Sequence, residues 1–213
     1  MIFTNSFSRD LGVFTWSALQ TAYPNSGGAL AALPTGTRAF VSDWGALFTP
    51  NAAKTAWIPV SVITMFSSSA NSASALNTAA TFIENFTVTV PNDLLVPGNF
   101  ILAYLRTSRT AGTATYRPQI NVGATRLSLA SGSSLGSKYF GAAQLMCRTA
   151  NQLSGADDGG PSMGFNSYTS IALVAATVNG ANPLRFGVCE FSTSDSSTTV
   201  VYEHCSVQMM QGT

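Results

Sequence analysis

His204 is the only histidine in the 213 residues, so any Ser–His–Asp arrangement would have to be built on it. It falls in the closing stretch TTVVYEHCSVQMM, on the strand face opposite Val201 and Val207, where a solvent-facing or subunit-interface role is expected. Cys147, Cys189 and Cys205 lack the paired spacing of a zinc site, and an odd number of thiols does not make a disulfide framework. All three sit in strand-like segments, where cysteine acts as a small hydrophobe. Asp157 and Asp158, in GADDGG, are the one acidic cluster and the only metal candidates. A calcium site takes roughly six to eight oxygens, so a solvated turn is the expected role of this pair. Among the nine acidic residues, no spacing brings two carboxylates together for glycoside hydrolysis. ASGSSLGSK, Ala130 to Lys138, lacks the spacing of a phosphate loop and lies between two strands. Asn85-Phe86-Thr87 matches a glycosylation acceptor but lies in an alternating strand, where the match says nothing. The expectation is a chain that is not an enzyme and has no catalytic residue, cofactor or resident metal.

LPTGTRAFVSDWG, Leu33 to Gly45, combines a turn, a cation, a carboxylate and an aromatic. The reading favoured here is architecture. Gly36 suits a turn, and Arg38 to Ser42 reads as a short strand with Phe40 on one face and Ala39 and Val41 on the other. Asp43 and Gly45 suit a second turn. Arg38 pairing with Asp43, and Trp44 or Trp57 filling a small core, would hold the module together. These four form a structural or docking set. A further apolar strand is expected over Thr55–Phe66, TAWIPVSVITMF. Two short strands around a loop bury too little to fold alone, so this module needs a neighbour.

The elements that position these groups are strands. Charged residues are 9% of the chain and the net charge is +1, which argues against nucleic acid or an anionic membrane as partner. No run is long and apolar enough to insert in a bilayer. Abundant Ser, Thr and β-branched residues, with 18 Gly and 9 Pro, favour strands and turns over helices. A surface this neutral is easiest to reconcile with one covered by other subunits. MIFTNSFSRDLG lacks the basic-then-apolar pattern of a secretory leader, so synthesis in a reducing cytoplasm is expected.

The expected organisation is an N-terminal arm (1–28), a small β module (29–66), a linker (67–81) and a β-sandwich (82–213). In the arm, Phe3–Tyr23 fits either a short helix or an extended segment. SGGALAALP reads as a linker or one helical turn stopped by Pro34. From Phe82 onward the pattern is clearly β. Phe86, Val88 and Val90 alternate with Thr87 and Thr89, and Pro91 ends the run. FILAYLRTSR is a long strand turning polar at Arg106. TYRPQINV and TRLSL meet at Gly123, and KYFGAAQLMCR, SIALVAATV and PLRFGVCEF follow. In the last strand Val201, Cys205, Val207 and Met209 share a face that Glu203 interrupts. Seven or eight strands at this spacing predict an all-β fold, a jelly-roll β-sandwich behind the small module and arm.

ALPTGTRAFVSDWG followed by TAWIPVSVITMFSSSA resembles a segment of bacteriophage virion proteins. There a Leu-Pro, a Gly-x-Arg, a Val-x-Asp and a later Trp-x-Pro precede a Ser/Ala connection. FTVTVPNDLLVPGNFILAYLRTSRTAGTATYRPQINVGATRL resembles the start of the jelly roll attached to it, and TTVVYEHCSVQMM its last strand. The resemblance spans residues 29–130, with the C-terminal third alike in pattern only. It implies a tail-fibre, tail-tip, head-fibre or decoration subunit located in the virion. It also implies homotrimerisation about a threefold axis and contacts with other tail or capsid proteins.

Two jobs follow from the resemblance. A fibre tip would contact a host glycan or surface protein through loops 107–115, 131–138 and 154–162, with Arg109, Tyr116, Tyr139 and Phe165 as receptor-loop candidates. A capsid decoration or cement protein would instead bury apolar surface against the shell. A carbohydrate-active enzyme and a free lectin are the remaining classes.

Overall fold

The computed structural model describes residues 9–69, 72–75, 82–113, 115–129, 138–156, 173–190 and 197–211. Of the described residues 59% are strand and 7% helix, which makes the chain all-β. It forms two compact units, dividing between Ile63 and Thr64, with the last few residues grouped with the first.

In the N-terminal unit, β1 (Asp10–Phe14), β2 (Arg38–Val41), β3 (Ala46–Pro50) and β4 (Trp57–Pro59) form one sheet in that order. The expected strand–loop–strand is therefore only the centre of a four-stranded sheet. β1 runs parallel to β2, while β2–β3 and β3–β4 are antiparallel. The arm supplies β1 and a helix, α1 (Trp16–Ala22), and a single turn, α2 (Gly28–Ala31), follows before Pro34. Thr15 caps α1, its hydroxyl accepting from the Ala18 N–H at 3.2 Å. In β2, Ala39 and Val41 are buried while Arg38 and Phe40 face out, as the alternation predicts. Gly36 and Gly45 take positive φ in the turns flanking β2.

One face of this sheet holds a small aromatic core. Trp16 packs on Phe48 and Trp44 at ring-centroid distances of 5.3 and 5.7 Å, and Trp57, Leu19 and Leu30 are fully buried beside them. Trp57 also donates its indole N–H to the Tyr23 carbonyl at 3.0 Å, so its polar atom is satisfied. Thr55–Phe66, expected as one strand, is two. Pro59 has no N–H to donate to a ladder, β4 stops there, and the chain re-enters a different sheet as β5 (Ile63–Ser68).

The second unit continues with β6 (Ser72–Ala75), β7 (Ile83–Val88), β8 (Asn99–Ala111), β9 (Tyr116–Val122) and β10 (Thr125–Leu129). It is completed by β11 (Lys138–Thr149), β12 (Gln152–Ala156), β13 (Leu173–Thr177), β14 (Leu184–Glu190) and β15 (Thr199–Gln211). β6 lies inside the stretch expected as a linker and pairs with β15. Strands join first with last: β5 beside β15, β7 with β14, β8 with β11, β9 with β10. Successive pairs alternate between a sheet ordered β7-β14-β9-β10 and a larger one ordered β5-β15-β8-β11-β12-β13. A long hairpin of strand pairs wrapped in this way is a jelly roll.

The core lies between the two sheets. Ile101, Ala103, Leu105 and Thr107 of β8 face Tyr116, Ile120 and Val122 of β9 and Leu184, Phe186 and Val188 of β14, all buried. Phe86 bridges the sheets, 5.5 Å from the Phe66 ring and 5.7 Å from that of Tyr202. Tyr202 donates its hydroxyl to the Gly187 carbonyl at 2.5 Å. Val201, expected to share the inner face with Cys205, is half-buried, whereas Val200 and Tyr202 are buried. Burial passes from even to odd positions across Glu203 and His204, both half-buried, so β15 changes phase where the sequence shows its charged interruption.

Candidate functional surfaces

The outward face of the larger sheet carries apolar side chains where a solvated face carries polar ones. β8 presents Phe100, Leu102 and Tyr104 outward, all half-buried, before turning polar at Arg106. β11 pairs with it in register, so Met146, Gln144, Ala142 and Phe140 stand directly opposite Phe100, Leu102, Tyr104 and Arg106. Phe140 is 73% exposed and Met146 44%. At the polar end Arg106 Nε meets Glu203 Oε2 at 2.5 Å. A hydrogen bond from Ser108 and the adjacent Arg106 charge hold the Glu203 carboxyl below its ordinary range.

A second apolar row crosses the outward face of the four-stranded sheet. Val13, Phe40 and Leu47 are cross-strand partners, and Val60 follows, its N–H donating to the Leu47 carbonyl at 2.8 Å. Val13 is 71% exposed. On the register row beside it Asp10 stands opposite Arg38, so the stripe has a charged end.

The residues singled out in the sequence separate into different roles. Asp43 forms no ion pair with Arg38. Its Oδ2 accepts the Trp16 N–H at 2.8 Å and so satisfies a donor at the start of α1. The residue nearest in sequence is thus displaced by an unpaired backbone donor, which costs more to leave unmet than a surface ion pair contributes. Trp57 is in the core, Trp44 half-buried against Trp16 and Phe48, and Arg38 exposed at the start of β2.

Among the receptor-loop candidates, Thr107–Ala111 is strand rather than loop. Arg109 closes the following turn, donating to the Thr113 carbonyl at 2.9 Å. Tyr116 is fully buried, its hydroxyl 2.9 Å from Thr107 Oγ1, and so offers no platform to a ligand. Tyr139 stands opposite Thr107, half-buried, and burial together with the neighbouring Tyr116 pushes its hydroxyl up to about 12. Both are structural side chains of the sandwich. Phe165, Asp157 and Asp158 lie outside the described residues. Among the described residues no group of three His, Cys, Asp or Glu is placed to hold a metal, and no helix is long and apolar enough to cross a membrane.

The outward face of the smaller sheet, β7-β14-β9-β10, escaped the sequence reading altogether. Thr87, Arg185, Asn121 and Arg126 stand in one register row across its four strands. The signal available was the alternation of TYRPQINV, which puts Arg117, Gln119 and Asn121 on one face, but nothing in it ties that face to the later strand carrying Arg185.

No protein-family model and no curated protein matches the chain. Among solved structures it aligns with the CBM2 module of the evolved Dit of Lactobacillus casei BL23 phage J-1. The alignment has 8% identity and a TM-score of 0.26, over 70% of this chain and 96% of that one. Likeness at that level leaves the function to be argued from the surfaces themselves.

Proposed function

We propose that the chain is a non-enzymatic structural subunit of a bacteriophage virion, a tail- or head-fibre-type protein that assembles as a homotrimer and presents its jelly roll to the host surface. The observation that carries the reading is the outward apolar face of the larger sheet. Phe100, Leu102, Tyr104, Phe140 and Met146 sit where a sandwich free in solution would place polar residues. A second copy of the chain is the occupant that covers this face. The net charge of +1 offers little repulsion between copies, and the Arg106–Glu203 pair is a ready polar rim. Sequence resemblance in residues 29–130 gives the phage context, and the jelly roll agrees with it.

The stripe Val13–Phe40–Leu47–Val60 favours a further contact, attachment of the small module to another virion protein. A decoration protein would use both apolar faces against the shell. Light scattering of the purified protein across a dilution series separates the readings. A mass of three chains that persists on dilution is the expected result. A persistent monomer sinks the self-trimer and leaves the decoration role, and failure to co-purify with phage particles sinks both.

A further inference from the structure

Asn179 is the one asparagine in the sequence that a glycine follows, and it lies in the turn between β13 and β14. We propose that Asn179 deamidates through the Gly180 nitrogen in the folded protein, a self-modification that adds a carboxylate to this turn; it stands apart from the virion reading. Other turn asparagines lack the means. Pro183, after Asn182, has no N–H to become a nucleophile. Ser26, after Asn25, has its N–H committed to the Thr55 carbonyl at 2.7 Å, and Asp93, after Asn92, donates its own to Asn151 Oδ1 at 2.9 Å.

Asn179 and Asn182 exchange both backbone hydrogen bonds, at 3.2 and 3.0 Å, and so close a tight turn over Gly180 and Ala181. The turn is pinned on both sides. Val178 donates its N–H to the Asn151 carbonyl at 2.8 Å, and the Pro183 carbonyl accepts from Gly123 at 3.3 Å. Inside it the Asn179 side chain folds back over its own peptide, Oδ1 accepting the N–H of Ala181 at 3.0 Å and that of Asn182 at 2.9 Å. The ring closed by the first of these bonds contains both Cγ and the Gly180 nitrogen, which keeps the reacting pair together. Two donors on Oδ1 also draw electron density from Cγ and are already in place for the negative charge that attack puts on that oxygen. Among the described residues neither the Gly180 N–H nor Asn179 Nδ2 has a partner, so nucleophile and leaving group break no bond before reacting. Gly180 is exposed and has no side chain to crowd its nitrogen.

The reaction balances with water alone. Hydroxide takes the Gly180 amide proton, the nitrogen adds to Cγ, and the Cγ–Nδ2 bond breaks as ammonia leaves with a proton from water. A second water opens the resulting succinimide at either carbonyl, giving aspartate or isoaspartate. Either product is ionised at neutral pH and takes the formal net charge of the chain from +1 to zero, the loss of one unit. Aspartate keeps an acceptor over Ala181 and Asn182, and with it the turn. Isoaspartate carries the main chain through an extra methylene, so the anchors to Asn151 and Gly123 cannot both persist.

The test incubates the full chain in heavy-oxygen water at mildly alkaline pH, folded and in guanidinium chloride, and follows each asparagine-bearing peptide by mass. Heavy oxygen should enter at Asn179, with an acidic form that co-migrates with Asn179→Asp on isoelectric focusing. With two oxyanion donors held in place, conversion should run about tenfold faster in the folded chain than in the unfolded one. Gly180→Ala adds a Cβ that meets nothing within 4 Å, so an unchanged circular dichroism spectrum is expected. The methyl crowds the attacking nitrogen and should slow conversion about tenfold. A folded rate equal to or below the unfolded one, or Gly180→Ala converting as fast as the parent, would overturn the proposal.

Discussion

Phe140→Ala probes self-association at the most exposed large apolar side chain among the described residues of the jelly roll. A phenylalanine contributes roughly 150–200 Å² when covered, and 73% of this one is open, so a contact could remove about 110–150 Å² from water. At ~25 cal/mol per Å², and allowing for the surface alanine keeps, the loss is about 2–3 kcal/mol per copy, or about 30- to 150-fold in the dissociation constant of each contact. The residue supports little within its own chain, so the thermal midpoint at matched subunit concentration should move only through the lost association. Light scattering and sedimentation over a dilution series read the effect directly. The variant should dissociate at concentrations where the parent remains assembled. A parent that assembles and a variant that dissociates identically would place the interface elsewhere and refute the assignment of this face.

Three further outcomes follow from contacts inside each unit. Asp43→Ala removes the acceptor for the Trp16 N–H and should cost about 1 kcal/mol in urea unfolding, whereas Arg38→Ala should be near neutral. Burial alone would raise the Glu84 carboxyl, but hydrogen bonds from Thr87 and Arg185 and the Arg185 charge outweigh it and hold it below its ordinary range. A carboxyl depressed in the folded state stabilises at neutral pH, and that contribution fades as pH falls from the ordinary value through the lowered one; Glu84→Gln should flatten the acid limb of stability against pH. Burial pushes the Cys205 thiol up to about 12 and raises that of Cys147, so neither should react with a disulfide reagent at pH 8 until the protein is unfolded, as peptide mass mapping would show.

The parts of the fold that a local rule governs were legible in the sequence. Alternation in Arg38–Val41 and Phe86–Val90 put the correct side chains inward, and Gly123 marked the β9–β10 hairpin. Pairing over long separations was not legible. Nothing local says that Asp43 will meet the start of a helix 27 residues away rather than an arginine five residues away, because the stronger claim comes from a backbone donor that only the folded module brings near. β15 misled for a related reason. A strand's phase is read by counting in twos, and a shift across Glu203–His204 reverses every assignment on one side of it.

The candidate surfaces show why composition is a better guide to function here than motifs. FILAYL is apolar at every position, so it identifies a strand without saying which face is the core. Only after Ile101, Ala103 and Leu105 have been taken up between the sheets do Phe100, Leu102 and Tyr104 become a surplus. The same count explains the opposite face. A chain with so few charges has none to scatter, and Arg117, Arg126 and Arg185 come from three segments that become neighbours only when β9 is inserted between β10 and β14. One sheet is left with apolar side chains that its own chain does not cover, and the other gathers three of the chain's ten cations. A subunit that meets its copies through one sheet would need that division.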